Sequence, residues 1–368
     1  MADIQSMFLV ILLLIHQTEQ KEDNLCEPNP CRHGWPCKAG DGQYTCHRQV
    51  ESLGANHGTV THNACSVNNG GCEQFCKVIE EKVTCLCTTG YKVGDDETSC
   101  IPTDKYPCGK RKLNFSKTNK TTDESLMNPV QIVEGRDCKP NECPWQAVLL
   151  NNENEPFCGG TILSPQFILT AAQCINQTKD LKVAVGKLTL KVNEVNESIH
   201  RVDTFFSHRQ FSRSSYDFDI AIIKLKDNIT FTDNIIPACI PDPDFAKHVL
   251  SNEPQAMTSG FGRYQKGGIQ VTNLQMLNVP YIDRQHCKNI SRFAISRNMF
   301  CAGYEQKVNY ICNGDSGGPH VTPFKDTYFV TGIVSWSEGC PQQGKPIVYT
   351  KVSNLNKWVT EIMKINQA

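Results

Sequence analysis

Net charge is almost missing from this chain: 37 basic and 38 acidic residues leave a formal balance of -1. No basic field is available to hold a phosphate backbone, which argues against nucleic acid as a partner. Aromatic residues are also sparse, at 8%, and they do not alternate with Lys/Arg runs as a single-strand-binding groove requires. Long apolar runs are missing as well. The stretch "MFLVILLLI", residues 7–15, is too short to span a bilayer. Paired C-x-x-C spacing is absent, the nearest motif being Cys85-Leu86-Cys87, so no zinc site is expected and the metal-ligand set is empty.

What the chain has in plenty is cysteine. Twenty of its 368 residues are Cys, a usage that fits an oxidising compartment, and the even count permits complete pairing. Residues 7–15 suit the apolar core of a signal peptide over 1–20. Asp3 stands where positive charge is usual, and "HQTEQ" offers no small-residue cleavage site. Six N-x-S/T sequons, at Asn114, Asn119, Asn176, Asn196, Asn228 and Asn289, predict a glycoprotein. The expected location is secreted and extracellular.

Cysteine density divides the sequence. From 26 to 108 the cysteines come every few residues and apolar runs are few, as in small modules stapled by disulfides in place of a core. Six of them, Cys65, Cys72, Cys76, Cys85, Cys87 and Cys100, allow fifteen connectivities. Their spacing, with "CLCTTGYKVGDDETSC", resembles an EGF-like module over 65–100. That resemblance implies Cys65–Cys76, Cys72–Cys85 and Cys87–Cys100. The segment 26–64 looks like a truncated, degenerate module of the same kind. It has Cys26, Cys31, Cys37 and Cys46, but Arg48 stands in place of the fifth cysteine.

Residues 101–131 read as a linker or activation-peptide-like segment, since 110–131 is polar and poor in apolar residues. Beyond it, short runs such as "FILTAA", "DIAIIKL" and "YFVTGIVSW" alternate with turn residues and predict β-strands. Leu355, Trp358, Val359 and Ile362 recur at helical spacing and predict a C-terminal amphipathic helix. The expected fold class is mainly β, with a barrel-type domain over 132–368.

Five ordered segments carry chemistry: "IVEGRDCKPNECPWQAVL" from Ile132, "FCGGTIL" from Phe157, "ILTAAQC" from Ile168, "DFDIAIIKL" from Asp217 and "CNGDSGGPHV" from Cys312. Together they resemble the chymotrypsin-fold serine proteases of the vitamin K-dependent clotting family, closest to its factor X branch through "ECPWQA", "NMFCAGY" and "FKDTYFVTGIVSW". The resemblance implies a two-barrel domain with a C-terminal helix and a place in blood coagulation. It makes Ser316 the nucleophile, Asp219 the orienting acid, and the N–H groups of Gly314 and Ser316 an oxyanion hole. Asp315 would receive the amino group of Ile132 after a zymogen-type cleavage. Implied disulfides are Cys138–Cys143, Cys158–Cys174, Cys287–Cys301, Cys312–Cys340 and Cys108–Cys239.

Four positions depart from that pattern. Gln173 stands where the family places its histidine base, and an amide has no useful basicity. Gln131 replaces the activation-site Arg, so the usual maturation is expected to fail. The nearby "KRK" at 110–112 could be cut but would not expose Ile132. Tyr310 replaces the acid at the pocket floor, and Ser337 and Ile347 occupy the positions of the pocket-wall glycines. His200, His208 and His320 lie outside the motif. These losses predict a chain that is not an enzyme and acts by binding extracellular proteins, including those of the coagulation system. The alternatives are an active serine endopeptidase of altered specificity in coagulation or proteolysis, and a decaying or exon-deficient copy. No cofactor is expected. The resemblance suggests calcium, but Lys187 stands where the calcium loop opens with an acid, leaving Glu197 as a lone carboxylate. The short segment "QTEQKEDNL" before Cys26 leaves no room for a γ-carboxyglutamate domain, so membrane docking of that type is not expected.

Overall fold

The computed structural model describes residues 37–40, 43–46, 64–80, 82–112, 135–175, 177–178, 180–192, 194–195, 197–262, 271–304, 315–339 and 345–367. The chain divides into two compact units, Met1–Thr61 and His62–Ala368. The first contains an antiparallel hairpin of β1 (Cys37–Gly40) and β2 (Gln43–Cys46), with Cys37 opposite Cys46.

The second unit begins with two small hairpins, β3 (Phe75–Ile79) with β4 (Lys82–Leu86), and β5 (Tyr91–Val93) with β6 (Cys100–Pro102). Such short ribbons bury too little apolar surface to stand alone. They are stapled by Cys65–Cys76, Cys72–Cys85 and Cys87–Cys100, the pairing the resemblance implied. They also lean on the larger fold. Phe75 packs against Phe245 and Phe329 with ring centroids 5.4 and 6.0 Å apart, and Cys108–Cys239 ties the two parts covalently. Residues 110–112, part of the expected linker, are docked. The Arg111 guanidinium lies 4.2 Å from the Tyr328 ring centroid, and Lys112 pairs with Asp233 at 3.0 Å.

The rest is mainly β. A closed barrel runs in the order β10 (Phe167–Thr170), β13 (Ala221–Leu225), β12 (Ser198–Ser207), β11 (Lys182–Val185), β8 (Gln146–Leu150) and β9 (Pro156–Ile162). Its core strands are apolar on both faces: every residue of "QAVLL" in β8 and "FILT" in β10 is buried. A second, eight-stranded sheet runs β16 (Tyr281–Ile282), β17 (Met299–Ala302), β20 (Ile347–Lys351), β19 (Thr327–Ser337), β18 (Pro319–Phe324), β14 (Ala256–Gly260), β15 (Gln275–Val279) and β7 (Arg136–Asp137). The two barrel-like sheets meet the expected fold class.

Helices are few. One turn, α1 (Ala172–Ile175), follows β10, while α2 (Pro243–His248) and α3 (Arg284–Ile290) are each capped by an aspartate, Asp242 and Asp283, accepting backbone N–H bonds. The terminal helix α4 (Val352–Ile365) buries Leu355 and Val359 as the periodicity predicted and adds Val352 and Met363, with Trp358 and Ile362 packed partly buried beside them. Among the described residues no helix is long and apolar enough to cross a membrane.

Candidate functional site

The site is assembled from three loops that the strands deliver to one place. Strand β10 ends at Thr170 and passes into the single turn α1, where Cys158–Cys174 clamps the chain back onto β9. This puts Gln173 against Asp219, two residues before β13. The Gln173 backbone N–H donates to Asp219 Oδ1 at 2.9 Å, and its Nε2 donates to Asp219 Oδ2 at 2.7 Å and to the Ser335 carbonyl at 2.7 Å. Both amide hydrogens are thereby used, and Oε1 is the one polar atom of that side chain left to face the cleft.

Asp219 is fully buried. The Ser335 hydroxyl donates to Oδ2 at 2.6 Å, and the Thr350 hydroxyl donates to the Asp219 carbonyl at 2.8 Å. Burial pushes the Asp219 carboxyl above its usual range, and the bonds from Ser335 and Gln173 pull against that rise. Ser335 and Thr350 are functional neighbours that sequence reasoning missed. Ser335 sits in "SWSEGC" only two residues before the wall residue Ser337, and nothing local marks its hydroxyl as a partner of Asp219 116 positions away.

Ser316 sits in the turn entering β18. Its carbonyl accepts from Gly159 N–H at 2.8 Å, and Gly317 N–H donates to the Val334 carbonyl at 2.7 Å. Gly317 has φ +84°, and a Cβ there would collide with Thr170 and the Gly159 carbonyl. Only glycine lets the turn that carries Ser316 sit this close to the first barrel. Asp315, 4% exposed, accepts from Gly262 N–H at 2.7 Å in a niche walled by Gly260 and Gly262. A small pocket beside it is lined by Gly135, Thr258 and Val271. The partner proposed for Asp315, Ile132, lies outside the described residues, as do Gln131, Gly314, Tyr310, Cys312 and Cys340.

A cleft of about 430 Å³ opens over these groups and is lined by Gln173, Ser316, Val334, Ser335, Trp336, Ser337 and Ile347. The expected wall residues face each other across the β19–β20 ladder, Ser337 opposite Ile347, and Ile347 is only 2% exposed. Farther out the cleft is bounded by Ser214, Ser215 and Tyr216 on one side and by Phe293 and Ala294 on another. Sequence reasoning identified none of these outer residues, because they come from loops whose meeting is a property of the fold.

None of the three outlying histidines lines the cleft. His200 Nε2 is 2.8 Å from Ser198 Oγ, His208 stacks on Phe218 with centroids 4.6 Å apart, and His320 is fully buried with Nδ1 2.8 Å from Thr331 Oγ1. Burial holds the His320 imidazole down at about 3. Farther away, Lys187 Nζ meets both Glu197 oxygens at 2.7 Å, with both side chains 9% exposed. Among the described residues the remaining expected disulfides, Cys138–Cys143 and Cys287–Cys301, are formed. Asn228 and Asn289 are exposed, and the other four sequon asparagines lie outside the described residues.

Comparison with protein families gives two matches. Residues 132–359 match the trypsin family, and residues 65–100 match the coagulation factor Xa inhibitory site. The first match corrects the expectation that the chain is not an enzyme: the region carrying Gln173, Asp219 and Ser316 matches a serine protease family. Physically, that expectation took the joint exchanges at Gln173, Gln131, Tyr310, Ser337 and Ile347 as loss of the activity. Removing a triad member leaves roughly 10³–10⁴-fold acceleration over water from the oxyanion hole and substrate binding.

Proposed function

Because the chain belongs to the trypsin family of serine proteases, we propose that it is a secreted, coagulation-type serine endopeptidase of altered specificity, acting on extracellular proteins. The observation that carries this reading is one cleft lined by both Ser316 and Gln173, with the Gln173 amide held by Asp219 and the Ser335 carbonyl. In the proposed step Ser316 Oγ attacks the scissile carbonyl carbon and forms the acyl bond as the amide C–N bond breaks. The N–H groups of Gly314 and Ser316 hold the developing oxyanion. With an amide at 173, the serine proton reaches the leaving amine directly or through solvent. Water then hydrolyses the acyl bond, releasing the acid and restoring the Ser316 hydroxyl. Both steps are slow without a base.

Specificity follows from the pocket. Ile347 and Ser337 narrow the slot, and Tyr310 supplies no anion to pair with a basic side chain, so small neutral residues are the expected fit. The EGF-like module over 65–100, matching a coagulation-factor inhibitory-site family, is the proposed contact for coagulation-related proteins. Calcium is not required in this proposal, since the Lys187 ammonium already occupies Glu197. The exposed sequons at Asn228 and Asn289 suit glycans on a secreted chain.

The test begins with the Gln131–Ile132 bond recast as an enteropeptidase site. The protein is cut, a free Ile132 terminus is confirmed, and a peptide library is assayed. Slow cleavage that Ser316→Ala abolishes is the expected result. Cleavage indifferent to Ser316→Ala, or none above buffer, overturns the proposal.

A further inference from the structure

The chain holds one run of consecutive Lys/Arg residues, Lys110-Arg111-Lys112, and within it one Lys-Arg step. A protease with acid-lined pockets for two adjacent basic side chains reads such a run. Whether it is cut depends on the burial and hydrogen bonding of its backbone as well as on its sequence. Here the backbone is engaged. Gly109 N–H donates to the Pro237 carbonyl at 2.8 Å, and the Gly109 carbonyl accepts from Tyr328 N–H at 3.0 Å. Gly109 has φ +71°, and a Cβ there would lie 2.6 Å from the Tyr328 carbonyl oxygen. Glycine thus brings the basic run against the start of β19.

Arg111 is bound there as a ligand would be. Its guanidinium lies 4.2 Å from the Tyr328 ring centroid and donates to the Tyr328 hydroxyl, while its other terminal nitrogen donates to the Glu142 carbonyl at 3.3 Å. Both acceptors are fixed in turn. The Tyr328 ring meets the fully buried Trp145 with centroids 4.9 Å apart. The Glu142 carboxylate accepts from the two terminal nitrogens of Arg136 at 2.6 and 2.9 Å and from Lys139 N–H at 2.8 Å. One residue on, Asn141 Nδ2 donates to the Lys112 carbonyl at 2.9 Å, and Lys112 Nζ pairs with Asp233 at 3.0 Å. That ion pair is half exposed and adds little. The ring face and the hydrogen bonds carry the hold.

We propose that residues 110–112 are a cryptic processing site for a protease that reads paired basic residues, sealed by the docking of Arg111 on Tyr328. Cleavage would add water across the Arg111–Lys112 amide, leaving a carboxylate on Arg111 and an amino terminus on Lys112. Such a protease must take Arg111 into its own pocket and draw the flanking residues out as an extended strand. Arg111 cannot occupy Tyr328 and that pocket at once, so cutting waits for the segment to leave β19. Its rate then follows the population of the opened segment. The basic run is used inside the molecule, and the folded chain passes a paired-basic protease uncut at this point. None of these contacts involves the cleft, so the seal stands or falls apart from the activity proposed there.

The test treats the full native chain with a kexin-type protease, which cuts after Lys-Arg. Fragments are followed after reduction, because Cys108–Cys239 keeps the cut halves together, and mass spectrometry identifies a new terminus at Lys112. The native parent is expected to be cut about a hundredfold more slowly than the same chain reduced and unfolded. Tyr328→Ala, which removes ring and hydroxyl, should raise the native rate about tenfold. Tyr328→Phe, which keeps the ring face, should stay within about threefold of the parent. Hydrogen exchange in β8 and β10 shows whether a variant is folded. Should Tyr328→Ala not fold, Asn141→Gly carries the comparison. It frees the Lys112 carbonyl, suits the left-handed backbone at that position, φ +68°, and should speed cutting about fivefold. A native parent cut as fast as the unfolded chain, or a folded Tyr328→Ala or Asn141→Gly protein cut no faster than the parent, overturns the seal.

Discussion

Gln173 Nε2 lies 2.7 Å from Asp219 Oδ2, and the backbone N–H of the same glutamine reaches Oδ1 at 2.9 Å. The amide therefore reproduces the donor side of a base–acid pair, with the carboxylate orienting it and Ser335 closing the arrangement from behind. It does not reproduce a basic lone pair. Orientation and basicity are separable properties, and the Gln173–Asp219 pair supplies the first alone.

Gln173→His restores basicity in a setting already built to orient it. Ser316-dependent cleavage of neutral peptides should rise about 10²–10⁴-fold, the usual worth of a positioned general base. The gain should appear in kcat, since the amide and the imidazole leave the pocket walls alike. Steady-state kinetics on the two cleaved proteins decide the matter, and a gain confined to KM contradicts it.

The Lys187–Glu197 pair is nearly buried, so breaking it from one side leaves an uncompensated charge. Lys187→Ala should cost about 3–5 kcal/mol in urea denaturation, while Lys187→Met with Glu197→Leu should return close to the parent. If the single and double variants are equally destabilised, the pair is not what holds the 187–197 loop.

His320 sits among the rings of Tyr281, Phe300 and Tyr349, with centroids 5.2, 5.0 and 4.6 Å away. Its folded pKa, about 3, lies below the ordinary 6.5. The unfolded chain therefore binds the extra proton first, and this residue's contribution to stability is lost as pH falls below 6.5 toward 3. Between pH 7 and pH 5 the parent should lose up to about 2 kcal/mol more than His320→Phe. The buried Asp219 carboxyl shifts in the opposite direction, but it is common to both proteins and cancels in the comparison. Parallel stability curves would mean that His320 is accommodated protonated.

The Cys108–Cys239 bridge closes a separation of 131 residues. Replacing both cysteines by serine should cost about 2–5 kcal/mol. The Phe75–Phe245–Phe329 contact should still hold the 65–100 hairpins in place, because it buries aromatic surface independently of the bridge. Hydrogen exchange at residues 91–102 reads this directly: protection near the parent's is expected, and full loss of protection would assign the docking to the disulfide alone.

The sequence by itself determined a good deal, wherever the signal was local. Alternation and apolar runs marked β10, β13 and β19, and the 3.6-residue period marked α4, because a buried face repeats with the geometry of its own element. Motif order located Gln173, Asp219 and Ser316. The cysteine pairings followed from the family resemblance and not from spacing, which left fifteen arrangements open for the 65–100 module. Only the tertiary structure decided what joins those residues. That both hydrogens of the Gln173 amide are spent on Asp219 and Ser335, that Lys187 pairs with Glu197, and that Glu338 accepts from Ser291 and Asp217 from Ser296 are contacts between positions 10 to 162 residues apart. No periodicity encodes them. They exist because closing a barrel and folding a second sheet beside it bring distant loops to one end, and there a hydrogen bond is set by ångströms of placement that the order of residues does not state.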